Sequence, residues 1–531
     1  MCDQKLIING VQQIMSQGVL PFKYEEEKTG TGMTALAGLP LYLDLAKVMG
    51  LSKSIQKHLK IRENSQGWTD SQVVLSLVLL NLAGGDCVDD LKIVEADDGF
   101  GAILRKSEMH GLKRKVRRAL DRRWRKEKNR SVPSPSAVFR YLSKFHDAQQ
   151  EKIRLNTDVK AFIPTPNEHL KGFRKINKDM CAGLNSVNPE TTATLDMDAT
   201  LAETMKKTAL YCYKGFKSYQ PFNVWWHEHG IILHTEFRDG NVPAGFEQLR
   251  IFKEALSCLP ENVEKVKLRS DTAGYQHDLL KYCEKGENDR FGRIEFAIGC
   301  NVTQAFKIAV AQVPDSEWQP IYKKEKSIKI KTGSEWAEVC FIPNELCHSK
   351  DAPVYRYLAK RQCLEEETPL PGMEEPEQLK LPFPTMDMQE NRYKVFGVVT
   401  NIGYTDMNGE DLIHWLHERC GKSEEVHAVM KEDLTGGKLP SADFGVNAAW
   451  WWIMIIALNL NTMMKNLALD PCMKTKRMKA IRFSIINIPG KVINRSRSLI
   501  MRLSNGHPAY EVFIKARRKI AMLNGAWLSS G

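Results

Sequence analysis

The passage TLDMDAT (194–200) constrains the fold more than any other, because it alternates like a strand and carries two carboxylates. Side chains of an extended strand point to opposite faces in turn, so Asp196 and Asp198 share one face. Two further strand-like passages, FNVWWHE and IILHTEF, flank His229-Gly230, a predicted tight turn. The segments beyond them are predicted, in order, as a helix over 243–258, the strand VEKVKLRSD, a helix over 276–284, the strand RIEFAIG and a helix near 302–312. This order predicts a mixed sheet with helices packed on it.

Basic residues are concentrated in two segments outside that region. The chain has 531 residues and a net charge of +12, from 76 Lys and Arg against 64 Asp and Glu. Residues 105–130 hold 13 basic residues and three acids, and 471–531 hold 13 and one. Such density favours a phosphate-bearing partner, double-stranded DNA above all, although a solvated helix and a solubilising tail are the alternatives. The predicted DNA-binding residues of the first segment are Lys113, Arg114, Lys115, Arg117, Arg118, Arg122 and Arg123.

Cysteine spacing and hydrophobic patterning restrict the class of protein. Twelve cysteines are scattered, with no pair at CxxC spacing. This argues against a zinc ribbon or a disulfide framework and suits a reducing cytosol. The N-terminus MCDQKLIING lacks the basic and apolar regions of a signal peptide. The apolar run 448–464 is too short to span a bilayer and contains Asn459 and Asn461, which predicts a buried helix. A cytoplasmic protein without a membrane partner is expected.

The predicted order of elements is that of a ribonuclease-H-like domain of the α/β class, a mixed sheet with flanking helices. This order is three strands followed by helix, strand, helix and strand. A capped helix over 69–85 and its neighbours predict a mostly helical N-terminal region. The predicted division is a helical DNA-binding domain (1–150), a first part of the catalytic core (185–316), a β-rich insertion (317–392), a second part of the core (393–470) and a basic C-terminal segment of short helices (471–531).

Carboxylates on separate elements indicate the chemistry. The first candidate is Asp198, and alternation alone does not exclude Asp196 as its alternate. The second is Asp271, just past its strand. The third is Glu424, with Glu425 as its alternate, on a helix predicted over 408–434. Two carboxylates about 4 Å apart repel by roughly 4 kcal/mol at an effective dielectric of 20, so such a cluster needs a cation. Two Mg²⁺ ions accept these hard oxygen ligands and suit phosphodiester cleavage, and Mn²⁺ is expected to substitute.

The predicted final helix also carries candidate phosphate ligands. One stripe at helical spacing contains His417, Cys420, Glu424, His427 and Lys431. A stripe that ends in a cation two turns beyond a carboxylate suits metal binding by Glu424 and phosphate binding by Lys431, with His427 between them. Arg269, two residues before Asp271, is placed to face the same site.

Four passages resemble a known family: TLDMDAT, FRDGNVPAGFEQL, LRSDTAGYQ and ERCGKSEEVHAVMKEDLTGGKLPSADFGVNAAWW. They are similar to the DDE transposases of bacterial insertion sequences, specifically group thirteen-eighty, which is related to group four. The similarity extends through most of residues 69–470. The resemblance implies a ribonuclease-H-like core with a β-rich insertion between the second Asp and the Glu. It further implies Mg²⁺-dependent DNA cleavage and strand transfer at terminal inverted repeats, by a homodimer in the bacterial cytoplasm, associated with the nucleoid.

By matching position, the resemblance makes Asp198, Asp271 and Glu424 the catalytic triad. Related transposases carry Tyr, two residues, Arg, three residues, Glu, six residues and Lys on the last helix. Here His417 and Cys420 stand at the Tyr and Arg places, and the adjacent Arg419 is the candidate substitute for the Arg. Two other functions remain open: a nuclease of the same fold without strand transfer, and a non-catalytic DNA-binding protein.

Overall fold

The structure is a computed structural model that describes residues 5–8, 11–14, 32–62, 67–126, 130–156, 161–325, 328–343, 353–363, 385–388, 391–496 and 498–528. Within them the helices are α1 (Leu39–Val48), α2 (Leu51–His58), α3 (Asp70–Ala83), α4 (Leu91–Ala96), α5 (Asp98–Met109), α6 (Arg114–Lys126), α7 (Pro135–Leu142), α8 (Ala148–Arg154), α9 (Glu168–Val187), α10 (Gln248–Leu256), α11 (His277–Lys285), α12 (Gln304–Ala311), α13 (Gly409–His417), α14 (Lys422–Ala428), α15 (Phe444–Met463), α16 (Met478–Ile481) and α17 (Ala509–Leu528). The strands are β1 (Lys5–Ile8), β2 (Val11–Ile14), β3 (Met33–Thr34), β4 (Thr192–Ala199), β5 (Ala202–Glu203), β6 (Leu210–Tyr211), β7 (Lys217–Tyr219), β8 (Phe222–Trp226), β9 (Ile231–Glu236), β10 (Lys265–Ser270), β11 (Glu295–Cys300), β12 (Gln319–Glu325), β13 (Ile328–Val339), β14 (Arg356–Cys363), β15 (Thr385–Met388), β16 (Asn391–Thr400), β17 (Gly490–Arg495) and β18 (Ser498–Arg502).

A large mixed sheet lies at the centre of the fold. Its strand order is β12-β13-β14-β16-β11-β10-β4-β8-β9, and β15 pairs with β16. The strands β4, β8 and β9 form antiparallel pairs, whereas β10 runs parallel to both β4 and β11. The strands and helices predicted between 192 and 312 are therefore confirmed, and so is the mixed α/β class.

The strands that follow α12 extend this same sheet. Antiparallel pairing joins β16 to β11, and β14, β13 and β12 continue outward from it. The β-rich stretch predicted as an insertion thus shares its hydrogen-bonded ladder with the strands that carry the candidate carboxylates. The acidic, proline-rich passage 364–384 lies outside the described residues.

The apolar run near 450 forms α15, a buried core helix, as predicted. Of the described helices it is, with its continuation to 468, the one long and apolar enough to cross a membrane, and that span is buried within the fold. The two asparagines noted in the apolar run, Asn459 and Asn461, have partners. The Asn461 side chain accepts a hydrogen bond from the Tyr42 hydroxyl at 2.8 Å. The Asn459 amide bonds both backbone groups of Ile232 in β9 and the Asn177 side chain of α9.

The last sixty residues are helical only in part, which corrects the prediction of short helices over 471–531. A hairpin of β17 and β18 forms between α16 and α17, and β17 also pairs with β3. Val492 and Ile493 belong to a short β-branched run, which favours a strand. Arg517 of α17 forms an ion pair with Asp44 of α1 at 2.9 Å. The elements β3 and α1 therefore pack with β17 and α17 into one unit.

The helix predicted over 408–434 is also interrupted. After α13 the chain turns at Gly421, whose φ of +80° lies in the left-handed region that favours glycine, and α14 begins at Lys422. A π-helical turn over 429–433 follows. His417 and Cys420 therefore do not share one continuous stripe with Glu424.

Replacing Asn459 with leucine should destabilise the fold. The Ile232 amide and the Asn177 carbonyl oxygen would each lose a buried partner, at about 1–3 kcal/mol per group. Urea denaturation followed by tryptophan fluorescence would measure the change. Ile455→Val, one turn away on α15, is the control and should cost only about 0.5–1.5 kcal/mol. Equal losses of unfolding free energy in Asn459→Leu and Ile455→Val would show that the hydrogen bonds of the Asn459 side chain contribute nothing to stability.

Candidate active site

The carboxyl ends of β4 and β10 bring Asp198 and Asp271 together. These strands are parallel, and Ser270 lies opposite Met197 in their register. Asp271 follows Ser270 directly and is therefore level with Asp198, one strand away, where neighbouring strands are about 4.8 Å apart. Asp271 also accepts a hydrogen bond from the Ala273 amide at 3.1 Å, which fixes the turn that carries it.

Arg419 supplies the positive charge between the two carboxylates. Its Nη1 lies 3.0 Å from Oδ2 of Asp198, and its side chain is 9% exposed. Burial lowers the pKa of Arg419, but the charges of Asp198 and Asp271 outweigh that effect and raise it overall. The Nε atom of Arg419 is buried and has no hydrogen-bond partner among the described residues. The hydrogen-bonding capacity of the Arg419 guanidinium is therefore only partly used in this position.

Burial raises the pKa of both carboxyl groups. For Asp198 the positive charge of Arg419 opposes this effect without cancelling it. For Asp271 the same guanidinium opposes burial, while the negative charge of Asp198 raises the pKa further. Two carboxylates share one cation here, and the site favours additional positive charge.

Asp196, the alternate first ligand, is bound elsewhere. Arg269 donates to both of its oxygens, at 2.6 and 2.8 Å, and both side chains are buried. Arg269 also donates to the Trp415 carbonyl oxygen at 2.6 Å and contacts Nδ1 of His227 at 2.8 Å. The side chain of Arg269 is wholly buried and its donors are taken by protein groups, and its contact with DNA stays a prediction.

The helix α14 and the turn after it pass beside the end of β4. His427 lies 3.4 Å from the amide nitrogen of Asn223, which pairs with Asp198 in the sheet. Lys431 donates to the Leu201 carbonyl oxygen at 3.2 Å. Burial, with the charges of Lys431 and Arg419, lowers the pKa of His427 to about 4, so this ring is neutral at neutral pH.

Glu424 does not join the two aspartates in this structure. It is exposed in the first turn of α14, as is its neighbour Glu425. Within the described ranges, no three His, Cys, Asp or Glu side chains are gathered closely enough to hold a metal ion. The donors nevertheless suit Mg²⁺, since Asp198 and Asp271 are adjacent carboxylates that already attract a cation.

The predicted DNA-binding residues of the first basic segment lie on or just before α6. The side chains of Lys113, Arg114, Lys115, Arg117 and Arg118 are exposed. Those of Arg122 and Arg123 lie outside the described residues. A helix that is polar on most of its surface is stabilised by solvent or by a charged partner.

Sequence reasoning missed Asn223 and the partner of Arg419. The Asn223 side chain accepts from the Thr235 hydroxyl at 2.7 Å and reaches His427, so it links β8, β9 and α14. The signal for Asn223 was its place in the predicted strand FNVWWHE, but the pairing of β8 with β4 that sets it opposite Asp198 was not predicted. For Arg419 the signal was Gly421, whose positive φ marks the turn between α13 and α14 in which Arg419 lies.

Two comparisons with known proteins give matches. The family model described as transposase DDE domain group 1 matches residues 23–344 and 380–525. A cryo-EM structure of a piggyBac transposase synaptic complex with hairpin DNA is similar at 12% identity, over 86% of this chain and 82% of that chain, with a TM-score of 0.39. That likeness is too weak to argue from. No curated protein matches the chain.

Replacing Arg269 with methionine should destabilise the protein by about 3–5 kcal/mol, because the buried Asp196 carboxylate would lose its counter-charge. Adding Asp196→Asn to the same chain should recover part of the loss. Urea denaturation measures both effects. The control is Lys265→Met, which removes an exposed ion pair on the same strand and should stay within about 0.5 kcal/mol. A similar effect from Arg269→Met and Lys265→Met would rule out a structural role for the pair.

Proposed function

The chain belongs to the transposase DDE domain group 1 family, and on that premise we propose that it is a bacterial insertion-sequence transposase. It cuts DNA at the terminal inverted repeats of its element and joins the freed ends to target DNA. The observation that carries the proposal is the pairing of Asp198 and Asp271 at the ends of parallel strands, around a cation. The passages quoted in the sequence analysis support group thirteen-eighty.

The fold around the site supports a ribonuclease-H-like core. Reading from one edge, β9, β8 and β4 form an antiparallel set, and β10 and β11 follow in parallel to β4. Catalytic ligands of open sheets gather at the carboxyl ends of such strands. Asp198 and Asp271 occupy that edge, which supports their assignment as two of the three acidic residues after which the family is named.

Asp198, Asp271 and Glu424 would hold two Mg²⁺ ions, and Mn²⁺ is expected to substitute. When bound, the metal ions supply charge neutralisation at the scissile phosphate and an activated oxygen nucleophile. Glu424 would reach the aspartates by a movement of α14, for which the glycine break at 421 provides the freedom. Arg419, with its unsatisfied Nε, would turn from Asp198 toward a phosphate oxygen. Lys431 lies close enough to the end of β4 to bind the same backbone.

Double-stranded DNA, the element end and the target, is the proposed partner. The exposed cations of α6 and the basic C-terminal segment would hold it by its phosphates, which position DNA without reading its sequence. Two ends must be joined in one reaction, so a homodimer is the proposed active form. The proposed location is the bacterial cytoplasm, at the nucleoid.

Replacing Asp271 with asparagine should abolish metal-dependent nicking while DNA binding is retained. The loss should be at least about 100-fold, since even groups one step from a metal cost 10–100-fold. The assay uses DNA that carries the element ends with Mg²⁺ or Mn²⁺, and the cut sites are mapped. Asp278→Asn, an exposed acid on the next helix, is the control and should leave nicking unchanged. Nicking by Asp271→Asn at the normal rate would refute the assignment.

The same assay separates Glu424 from Glu425. Glu424→Gln should lose nicking to the extent that Asp271→Asn does, and Glu425→Gln should retain it. The reverse result would transfer the metal ligand to Glu425. Cleavage without joined product would instead identify a nuclease of this fold, and no metal-dependent cleavage by the unaltered chain would identify a binding protein.

Replacing Lys113, Arg114 and Lys115 together with glutamine should weaken binding to duplex DNA. The plot of log affinity against log salt concentration should lose about 0.9 in slope for each phosphate contact removed. Fluorescence anisotropy over a range of salt concentrations measures both quantities. Lys281→Gln with Lys285→Gln, exposed cations on α11, is the control. An unchanged slope in the triple variant would exclude α6 from the DNA contact.

A further inference from the structure

The segment between β4 and β8 presents tyrosines and lysines that the proposed reaction has not used. It folds as a small sheet of order β5-β7-β6, which we call the tyrosine–lysine hairpin (202–219). Tyr211 lies opposite Lys217 in the register of β6 and β7. The turn that joins these strands contains Gly215 at φ +83°, and the Cys212 amide donates to the Phe216 carbonyl oxygen at 2.9 Å.

Aromatic rings on this hairpin face solvent. Tyr211 is 63% exposed and Tyr213 is 77% exposed. The ammonium groups of Lys217 and Lys214 each lie 5.8 Å from the centre of one of these rings. A single exposed tyrosine is ordinary, but two beside lysines form a surface with both flat apolar faces and positive charge.

The charge of the hairpin selects a polyanion. It contains four lysines and one acid, Glu203, and the lysines are Lys206, Lys207, Lys214 and Lys217. Phosphates bind such lysines without sequence preference. An acidic backbone that also offers flat π surfaces would satisfy both features of the hairpin at once.

The hairpin is fixed beside the candidate active site. Its first strand begins four residues after Asp198, which limits the separation to about 14 Å along the backbone. Lys431 bonds the Leu201 carbonyl oxygen in the connecting turn at 3.2 Å. Arg154 donates to the Thr208 carbonyl oxygen at 3.1 Å, and the Thr208 hydroxyl donates to the Ala442 carbonyl oxygen. These hydrogen bonds anchor the hairpin to the surrounding fold at Leu201 and Thr208.

We propose that the tyrosine–lysine hairpin binds unpaired bases of the DNA end next to the cleaved phosphate. A base offers its face to a tyrosine only when it has left the duplex, whereas a lysine binds the phosphate of either form. The rings therefore select single-stranded nucleotides, and the lysines supply sequence-independent attraction. The inference rests on the proposed function, since it requires DNA at this site.

The test compares two DNA probes without metal. One is a duplex with a single-stranded thymidine tail of about ten nucleotides, within the site size of single-strand-binding modules, and the other is the same duplex with blunt ends. Fluorescence anisotropy measures the affinity of the full chain for each. Tyr211→Ala with Tyr213→Ala should weaken binding of the tailed probe by at least about fivefold, the smaller effect expected for stacking of one base. Binding of the blunt probe should change by less than about twofold in the same variant, because paired bases do not stack on the rings.

Conservative and distant variants separate stacking from folding. Tyr211→Phe with Tyr213→Phe keeps both ring faces and should retain the affinity for the tailed probe. Tyr404→Ala removes an equally exposed tyrosine that follows β16, at the opposite end of the sheet, and should have no effect. Lys214→Ala and Lys217→Ala should each reduce the salt slope on the tailed probe by about 0.7.

Equal losses on the tailed and blunt probes, or no loss on either, would overturn the inference. In both cases a wild-type chain that still binds and nicks DNA would leave the proposed function intact. A wild-type chain that bound neither probe would overturn the inference and the proposed function together.

Discussion

Two half-buried carboxylates held one strand apart repel each other unless a cation lies beside them, and this constraint explains the arrangement at the ends of β4 and β10. The parallel register fixes the separation, so the strands cannot relieve the repulsion by sliding. Arg419 relieves it in part, while burial keeps the pKa of both carboxyl groups raised. The proposed metal ions would complete the compensation, which is why the same geometry suits phosphodiester chemistry.

Two arginine–aspartate pairs lie side by side in this region and differ in how fully they are satisfied. Arg269 donates to both oxygens of Asp196 and to a backbone carbonyl oxygen, so its release would leave several buried groups without partners. Arg419 has a buried Nε without a partner among the described residues. The Arg269–Asp196 pair is a fixed connection between α13 and the sheet. The Arg419–Asp198 pair is suited to exchange of one partner for another. Residue type alone does not distinguish them.

Local patterns predicted the central sheet because each strand carries its own signal. Alternation identified β4, and the glycine at the turn identified the hairpin of β8 and β9. The order of elements then gave the neighbours of Asp198 and Asp271. The break before α14 was not predicted, because the spacing of His417 and Glu424 fits one continuous helix. The break is stabilised by the ion pair of Arg419 with Asp198, which is distant along the chain. The partner of Asp196 was likewise set by strand pairing across 73 residues, which spacing within one segment does not reveal. The site assignments of Asp198, Asp271, Glu424 and Lys431 stay predictions.

The packing of β3 and α1 against β17 and α17 has a consequence for how the protein is made. The strand β3 and the helix α1 complete their packing only against β17 and α17, which are synthesised after the whole of the central sheet. At about 5–20 residues per second, translation separates the two partners by tens of seconds. During that interval the face of α1 that packs on α17 stays uncovered, so the nascent chain exposes apolar surface to the cell until α17 is synthesised.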